Sequence, residues 1–330
     1  MDISFIIPVY NRPAEIKALL DSMAAQTTRA FEVVIMEDGS WDTCEREVAA
    51  YKKELNVKYF YKENGGPGLA RNEACKIATG NFFIFLDSDC LLPPQYVSVV
   101  CEHLLNSKID AFGGPDAARE DFSPLQKAIN YSMTSYFTTG GIRGGSERHE
   151  KFHPRSFNMG YSREVLLETG GFSSMRFGED IDMSLRMIKA GFQTKLIKEA
   201  FVYHRRRTSI RQFFKQIFNS GIARINLYKR HPDSLKLVHF APAVFTVGVF
   251  LIILFSIFVS SSFLFFLILY AGCILLDATV KARNSYIGVL AVATSYIQLI
   301  AYGIGFIYAA INRLLLRKKE FAEFEHSFYE

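Results

Sequence analysis

The sequence lacks several features that would place it in common classes of protein. Its five cysteines include no CxxC pair and no metal-ligand spacing, which argues against a zinc motif and a disulfide framework and favours a reducing compartment. No basic segment precedes the short apolar run at residues 5–10, so we expect no signal peptide. Charge is almost absent from residues 238–312, and this absence marks a region unlike the rest of the chain.

Apolar and basic residues are unevenly distributed along the 330 residues. Apolar residues make up 49% of the chain and include 30 Phe, yet residues 1–237 have the composition of a soluble α/β protein. The net charge of +5 is local, because nine Lys and Arg lie between Arg205 and Lys236 against a single acid, Asp233. A basic stretch before apolar segments is typical of the cytoplasmic edge of a membrane protein, and we favour this over nucleic-acid binding.

Three apolar segments follow, at about 240–259, 263–280 and 286–312. Each approaches or exceeds the ~20 residues needed to span a bilayer core. The three serines at 260–262 predict a tight turn, so the first two segments form a hairpin. If the third segment also spans, the basic residues at 313–319 end up outside, against the positive-inside tendency. It is otherwise re-entrant or interfacial, with Gly303 and Gly305 as a place to bend, and the sequence leaves this open.

The first two thirds of the chain alternate strand and helix patterns, which predicts βαβ units and a mostly parallel sheet. A basic amphipathic helix is predicted at Ser209–Tyr228. Between 117 and 151 the pattern weakens, and the glycines at 140–145 predict a loop. The predicted strands are Ile3–Val9, Phe31–Met36, Val57–Tyr61, Phe82–Leu86, Ala111–Gly114 and Phe201–His204.

Two carboxylates, Asp87 and Asp89, end the uncharged run at 82–86. In open α/β sheets, ligands bind at the carboxyl ends of strands. Two carboxylates in such a position repel each other unless a cation neutralises them, and oxygen ligands suit Mg²⁺ or Mn²⁺. A solvated turn before a helix is the simpler alternative for this short pattern. The Gly-rich string at 64–72, which includes Gly66 and Arg71, matches neither GxGxxG nor a P-loop but suits a phosphate.

Together with three other strings, these motifs resemble the inverting family 2 glycosyltransferases of GT-A fold over about residues 1–230. The resemblance implies an α/β GT-A domain with a Rossmann-like mixed sheet, followed by transmembrane or membrane-interacting C-terminal helices. The five motifs are Phe5–Arg12, Glu37–Ser40, Asn64–Asn72, Asp87–Asp89 and Gly178–Arg186.

The resemblance also implies a role for each matching residue. Asp180 is the base that deprotonates the acceptor, and Asp89 and His204 are metal ligands for Mg²⁺ or Mn²⁺. Asp38 contacts the uracil edge, and Asp87 lies on the ribose side. Glu179 and Asn158 are assigned to the acceptor side. The residues assigned to donor binding are Pro8, Tyr10, Asn11, Asp38, Gly66, Arg71, Asp87 and Ser88.

The implied protein is a metal-dependent hexosyltransferase that uses a nucleotide-diphosphate sugar, with UDP favoured, at the inner or plasma membrane. Its catalytic domain is cytoplasmic, its acceptor is a lipid-linked or glycan hydroxyl, and no nucleic acid is involved. Sugar transfer to a polyprenyl phosphate and a non-catalytic scaffold are the alternatives. The predicted divisions are 1–115 for the donor, 116–205 for the acceptor, 206–237 as a juxtamembrane helix, 238–312 as the membrane region with its hairpin at 240–280, and 313–330 as a charged tail.

Overall fold

The computed structural model describes residues 2–117, 122–140, 152–204 and 206–320. They form two compact units: the α/β unit contains the described residues of 2–117 and 152–204, and the helical unit those of 122–140 and 206–320. The predicted acceptor half, 116–205, is therefore divided, because 122–140 belongs with the C-terminal helices. Residues 141–151, which carry most of the predicted loop, and 321–330 of the predicted tail lie outside the described residues.

The described residues form ten strands and twelve α-helices. The strands are β1 (Ile3–Val9), β2 (Phe31–Asp38), β3 (Asn56–Lys62), β4 (Phe82–Leu86), β5 (Cys90–Leu91), β6 (Ala111–Gly113), β7 (Asp116–Ala117), β8 (Asn158–Ser162), β9 (Thr194–Leu196) and β10 (Val202–His204). The helices are α1 (Pro13–Ala24), α2 (Glu45–Tyr51), α3 (Pro67–Ile77), α4 (Tyr96–Asn106), α5 (Pro124–Thr134), α6 (Tyr136–Thr139), α7 (Arg163–Thr169), α8 (Glu179–Lys189), α9 (Ile210–Arg230), α10 (Ala241–Phe258), α11 (Leu264–Ala282) and α12 (Ser285–Ala310).

The α/β unit is built on a seven-stranded mixed sheet in the order β3-β2-β1-β4-β8-β6-β9. Strands β3, β2, β1 and β4 are parallel, and β8 runs antiparallel to both β4 and β6. Alternate residues of β1 face opposite sides: Phe5 and Ile7 join the core that includes α1 and α4, whereas Ile6 joins the core that includes α3 and α8. Because both faces of the sheet are covered, the sequences of β1 and β4 are almost entirely apolar. The predicted bounds of both strands are confirmed.

A second, three-stranded sheet lies beyond the end of β4, in the order β5-β10-β7. Strand β5 follows Asp89 directly and pairs antiparallel with β10, with Cys90 opposite His204. This pairing joins segments more than a hundred residues apart in the chain.

The helical unit contains α5, α6 and α9–α12. Helix α5 lies where no helix was predicted, and it begins with a capping box between Ser123 and Gln126 and with Pro124 in its first turn. The three predicted apolar segments are helices, and each is long and apolar enough to cross a membrane. This composition indicates membrane association. Helix α12 is continuous through Gly303 and Gly305, so it does not break at the predicted bend.

Candidate active site

The loops that follow β2, β1 and β4 carry the first group of predicted site residues. These strands are neighbours and parallel, so their carboxyl ends meet at one edge of the sheet. Asn11 joins two of the loops: its backbone N–H donates to Oγ of Ser40 over 2.7 Å, and its Oδ1 accepts from the N–H of Trp41 over 3.0 Å. Asn11 adopts a left-handed φ of 52°, which its short polar side chain tolerates. Tyr10 contacts Trp41 edge to face at 5.6 Å.

Asp38, which is predicted to contact the uracil edge, already has partners within the protein. Its side chain is buried, and it accepts hydrogen bonds from the backbone N–H groups of Gly65 and Gly66 at 2.9 and 2.8 Å. Nζ of Lys62 lies 2.7 Å from the same carboxylate. Asp38 therefore holds the Gly-rich loop, including the predicted Gly66, against the end of β2, since two N–H donors and one cation already occupy its oxygens.

Arg71, which is predicted to bind the donor, pairs with two carboxylates of the protein. Its side chain is 3% exposed, and its guanidinium bridges two carboxylates, with NH2 2.8 Å from Asp87 and NH1 3.1 Å from Glu179. The Phe172 ring covers the guanidinium at 5.2 Å. Burial disfavours the positive charge of Arg71, but the negative charges of Asp87 and Glu179 outweigh the effect of burial and raise the pKa of Arg71. Arg71 is thus a positioning residue that connects the loop after β4 to the start of α8.

Asp89 lies between the imidazole of His204 and the guanidinium of Arg12. Nε2 of His204 lies 3.1 Å from its Oδ1, and NH1 of Arg12 lies 2.7 Å from its Oδ2. Pairing of β5 with β10 brings His204 here, and the imidazole stacks on Phe157 at 5.2 Å. Burial raises the pKa of Asp89, but His204 and Arg12 outweigh it and hold this pKa well below the usual carboxyl range. Asp89 is therefore ionised at neutral pH, as a candidate metal ligand needs to be.

Asp180 and Glu179 lie at the start of α8, after Gly178, whose φ of 85° is open to glycine. Asp180 accepts from the N–H of Ile181 through Oδ1 over 2.8 Å, and its Oδ2 lies 3.3 Å from NH1 of Arg155. Its side chain is 16% exposed, so the carboxylate reaches solvent. Because Glu179 shares the guanidinium of Arg71 with Asp87, the base candidate lies next to the acidic end of β4.

The family model described as Glycosyl transferase family 2 matches residues 4–170. The chain belongs to this family. The predicted resemblance and the predicted GT-A fold class are thereby confirmed.

Relatives of this family 2 glycosyltransferase match parts of its sequence. An uncharacterized glycosyltransferase of Rickettsia conorii is 46% identical over 97 residues, 29% of this chain and 16% of that protein. Validoxylamine A glucosyltransferase of Streptomyces hygroscopicus subsp. jinggangensis is 41% identical over 106 residues, 31% of this chain and 25% of that protein. An uncharacterized glycosyltransferase of Haemophilus influenzae is 29% identical over 220 residues, 63% of this chain and 70% of that protein. The match thus covers only a small share of the first two relatives.

Two solved structures share the fold of the transferase. The mannosyltransferase PcManGT from Pyrobaculum calidifontis has a TM-score of 0.64 and 16% identity, and the match covers 93% of this chain and 87% of that one. TarS 1–349 of S. aureus has a TM-score of 0.51 and 22% identity, with 91% and 90% covered. At these identities the likeness shows the fold alone.

Asp89, Cys90 and His204 lie close enough together to share a metal ion. Their ligand atoms lie within 4.8 Å of one another. A carboxylate and an imidazole suit Mn²⁺ or Mg²⁺. Burial raises the pKa of the Cys90 thiol well above its ordinary value, and the thiol donates to the carbonyl of Phe157. The residues of the transferase therefore fit a metal held by Asp89 and His204, and Cys90 stays protonated beside it.

Some predicted residues of the transferase are enclosed by the fold. Asn158, assigned to the acceptor side, is fully buried: its Oδ1 accepts from the Tyr96 hydroxyl over 2.6 Å, and its Nδ2 donates to the carbonyl of Ala200 over 2.8 Å. These contacts give Asn158 a structural role in the sheet, and its assignment to the acceptor side stays a prediction. Pro8 and Ser88 are also buried, which leaves Tyr10, Asn11 and Asp87 as the partly exposed members of the predicted donor set.

Sequence reasoning gave no role to two arginines of the site. Arg12 contacts the metal-ligand candidate Asp89, and Arg155 contacts the base candidate Asp180. Arg12 is the last residue of the opening motif Phe5–Arg12, and this position was a usable signal. Arg155 had none, because it lies outside every motif and reaches α8 only through the fold.

The raised pKa of Glu179 leads to a prediction for the transferase. Burial and then the neighbouring Asp180 raise this pKa, and the opposing charge of Arg71 does not cancel them. The native state therefore holds a proton that the unfolded state releases, so stability falls as pH rises from the ordinary carboxyl pKa towards neutrality. We expect Glu179→Gln to raise the unfolding free energy by on the order of 1 kcal/mol at pH 8 and by almost nothing near pH 4. Thermal unfolding across this range measures the difference, with the exposed Glu168→Gln as a control. An equal effect of Glu179→Gln at both pH values would contradict it.

Proposed function

We propose that the chain is an inverting, metal-dependent hexosyltransferase that uses a nucleotide-diphosphate sugar, with UDP as the favoured nucleotide. Its acceptor is a hydroxyl of a membrane-associated, lipid-linked saccharide. One observation carries the proposal: the guanidinium of Arg71 contacts both Asp87 of the donor motif and Glu179 beside Asp180. One buried cation thus holds a donor-side carboxylate and the direct neighbour of the base candidate, which keeps the two sides of the site at a fixed spacing, as a displacement between two substrates requires.

The donor is expected to lie along the carboxyl edge of β2, β1 and β4. Tyr10 and Asn11 flank the nucleotide base, and Asp87 approaches the ribose. Asp38 and Arg71 position the loops that follow β3 and β4. TarS 1–349 has been solved with UDP-GlcNAc, and PcManGT with GDP-Man and Mn²⁺, which supports a nucleotide sugar as donor. Asp89 and His204 would hold the metal. When bound, a divalent ion neutralises the charge that builds on the leaving diphosphate.

The chemical step is a single displacement at the anomeric carbon. The acceptor oxygen forms a bond to that carbon as the bond to the diphosphate oxygen breaks, with inversion of configuration. The hydroxyl proton passes to Asp180, whose Oδ1 is fixed by the N–H of Ile181. Arg155, 3.3 Å from the other oxygen, keeps the carboxylate turned towards the partly exposed side of α8.

The helical unit supports the proposal of a membrane-associated acceptor. Its apolar helices are proposed to hold the enzyme at the inner or plasma membrane with the α/β unit in the cytoplasm, because Arg and Lys residues cluster before them. An enzyme and a lipid-linked substrate that share one membrane meet at high effective concentration. This favours a role in surface polysaccharide or glycolipid synthesis.

A panel of nucleotide sugars tests the proposal. Purified full-length protein is heated with UDP-, GDP- and dTDP-sugars, each with Mn²⁺ or with EDTA. Binding to the native state raises the unfolding temperature, so the true donor protects only when the metal is present. Slow, metal-dependent hydrolysis of the same sugar nucleotide then establishes catalysis. Protection without any hydrolysis or transfer would instead favour a non-catalytic scaffold.

Trp41 provides an independent prediction about donor binding. It is the single Trp of the chain, its side chain is 81% exposed, and it contacts Tyr10. A nucleotide placed beside Tyr10 changes the surroundings of this indole. We therefore expect UDP with Mn²⁺ to change the fluorescence of Trp41 in a saturable way, with the midpoint found by thermal protection. N-acetyltryptophanamide in the same titration corrects for absorption by UDP. Thermal protection with unchanged fluorescence would contradict this placement.

A further inference from the structure

The three apolar helices of the helical unit are covered to very different extents. About 50% of the apolar stretch of α12 is buried, compared with 6% for α10 and 11% for α11. Large side chains such as Phe250, Phe258 and Phe266 are exposed on the hairpin formed by α10 and α11. In contrast, α12 is covered by α5, α9, α10 and α11, whose buried side chains share clusters with it. Two unlike environments are therefore expected for helices of similar composition.

Both ends of α12 contact the open end of the hairpin. Near its start, a side chain at Gly288 would place its Cβ 2.1 Å from Oγ1 of Thr279, late in α11. Near its end, a Cβ at Gly303 would lie 2.1 Å from Oγ1 of Thr246, early in α10. The start of α10 and the end of α11 form the open end of a hairpin whose turn is Ser260–Ser262. A third helix that crossed a bilayer beside the hairpin would have one end near that turn, and α12 does not.

Helix α12 also runs side by side with the basic helix α9, in the same direction. Gly305 contacts the carbonyl of Phe218, and further along Nε of Arg313 donates to Oδ1 of Asn226 over 2.9 Å. Arg313 is only 8% exposed, and beyond it Glu320 pairs with Arg230 of α9 at 3.1 Å. Because charged residues are costly at the centre of a bilayer, α9 cannot cross it. Arg313 and Glu320, which bind residues of α9, therefore lie on the same side of the membrane as α9.

We propose that the α10–α11 hairpin alone crosses the bilayer, while α12 lies along the interface beside α9. The inference rests on the membrane attachment proposed above. The partner of the exposed hairpin surface is the phospholipid bilayer: no Asp, Glu, Lys or Arg occurs between Lys236 and Asp277. Helix α10 has 18 residues and is therefore ~27 Å long, close to the thickness of the hydrocarbon core. Exposed Lys236, Lys281 and Arg283 at the open end suit anionic headgroups.

This arrangement removes the conflict that the sequence raised with the positive-inside tendency. The basic residues after α12 then lie on the same side as those of α9, without a third crossing.

Cysteine labelling in oriented membranes tests the arrangement. Three exposed positions receive single cysteines in a Cys273→Ala background: Lys229→Cys at the end of α9, Ser261→Cys in the turn, and Lys319→Cys after α12. A membrane-impermeant maleimide is applied to inverted vesicles and to right-side-out vesicles. The background protein, which keeps Cys101, measures unspecific labelling. We expect Lys229→Cys and Lys319→Cys to label in inverted vesicles, and Ser261→Cys to label in right-side-out vesicles.

The alternative outcomes are distinct from one another. Labelling of Lys319→Cys together with Ser261→Cys would show that α12 crosses, and would overturn the proposal while leaving membrane attachment intact. Labelling of all three in inverted vesicles would show a hairpin that enters without crossing, which also overturns it. If alkaline carbonate releases the protein from both preparations, the membrane attachment itself fails and the inference fails with it. The activity of the variants, measured in parallel, reports separately on the proposed transfer.

Discussion

Replacing Asp180 with Asn is expected to lower kcat by ~10²–10⁴, a loss of about 3–5 kcal/mol of transition-state stabilisation. The amide keeps the shape of the side chain and can still accept from the N–H of Ile181. What it loses is the ability to take the acceptor proton. Since Asp180 does not contact Asp38, Asp87 or Asp89 through any hydrogen bond of the described residues, we expect donor affinity to stay unchanged. Single-turnover transfer and thermal protection by the donor measure the two quantities separately.

Asp182→Asn is the matched control, because it removes a carboxylate from the same first turn of α8. Asp182 is buried and pairs with Arg186 over 2.8 Å, so its loss should lower the unfolding temperature. It should change kcat far less than Asp180→Asn, since the helix loses the same charge near its start but keeps the base. A kcat near the parent value in Asp180→Asn would refute the assignment. It would then favour an acceptor that needs no base, such as a polyprenyl phosphate.

The strands at the centre of the sheet could be predicted from the sequence because burial on two faces leaves a simple pattern. The bounds of β1 and β4 match uncharged runs, and both runs end where polar residues begin. The acidic edge after β4 could be placed for the same reason, and Asp89 does meet His204 there. Local sequence patterns were sufficient to place these strands and the acidic residues after them, because burial of each strand leaves its mark on neighbouring residues in the chain.

The partners of individual side chains could not be predicted, because pairing between distant segments decides them. His204 reaches Asp89 only through the register of β10 on β5. Arg71 was expected to meet a phosphate, but Glu179, 108 residues away, occupies its guanidinium. Asn158 was expected to meet the acceptor, yet it lies on β8 in the middle of the sheet, between Tyr96 and Ala200. A motif gives the residue type at a site but not the atoms that surround it.

The helical unit shows the same limit at the level of whole elements. The capping box at Ser123 and Gln126 was visible in the sequence, but the weak apolar pattern that follows it gave no helix. Helix α5 forms because Ala128 and Ile129 pack on other helices of its unit, and no local signal contains that contact. Likewise, α12 resembles a membrane span in composition, and only its burial and its contacts within the helical unit distinguish it from α10 and α11.

Replacing Asp89 with Ala is expected to abolish the dependence of donor binding on metal. Loss of second-layer partners alone typically costs 10–100-fold in metal affinity, so loss of a ligand should weaken UDP binding in Mn²⁺ by at least about 100-fold. Affinity in EDTA should change little by comparison, because the contacts expected from Tyr10, Asn11 and Asp87 remain. Calorimetric titration of UDP, with Mn²⁺ and with EDTA, measures both values on the same preparation.

Two further variants show which atoms the metal needs. His204→Gln should lower the Mn²⁺-dependent affinity by less than Asp89→Ala, because the ionised carboxylate remains. Cys90→Ser should leave it unchanged, since the thiol beside Asp89 is held protonated and donates to Phe157. Unchanged affinity of Asp89→Ala in Mn²⁺ would refute the ligand role of Asp89. The role of Asp89 would then be structural, through its ion pair with Arg12 at 2.7 Å. Loss of this ion pair in Asp89→Ala would lower the unfolding temperature and leave UDP binding unchanged.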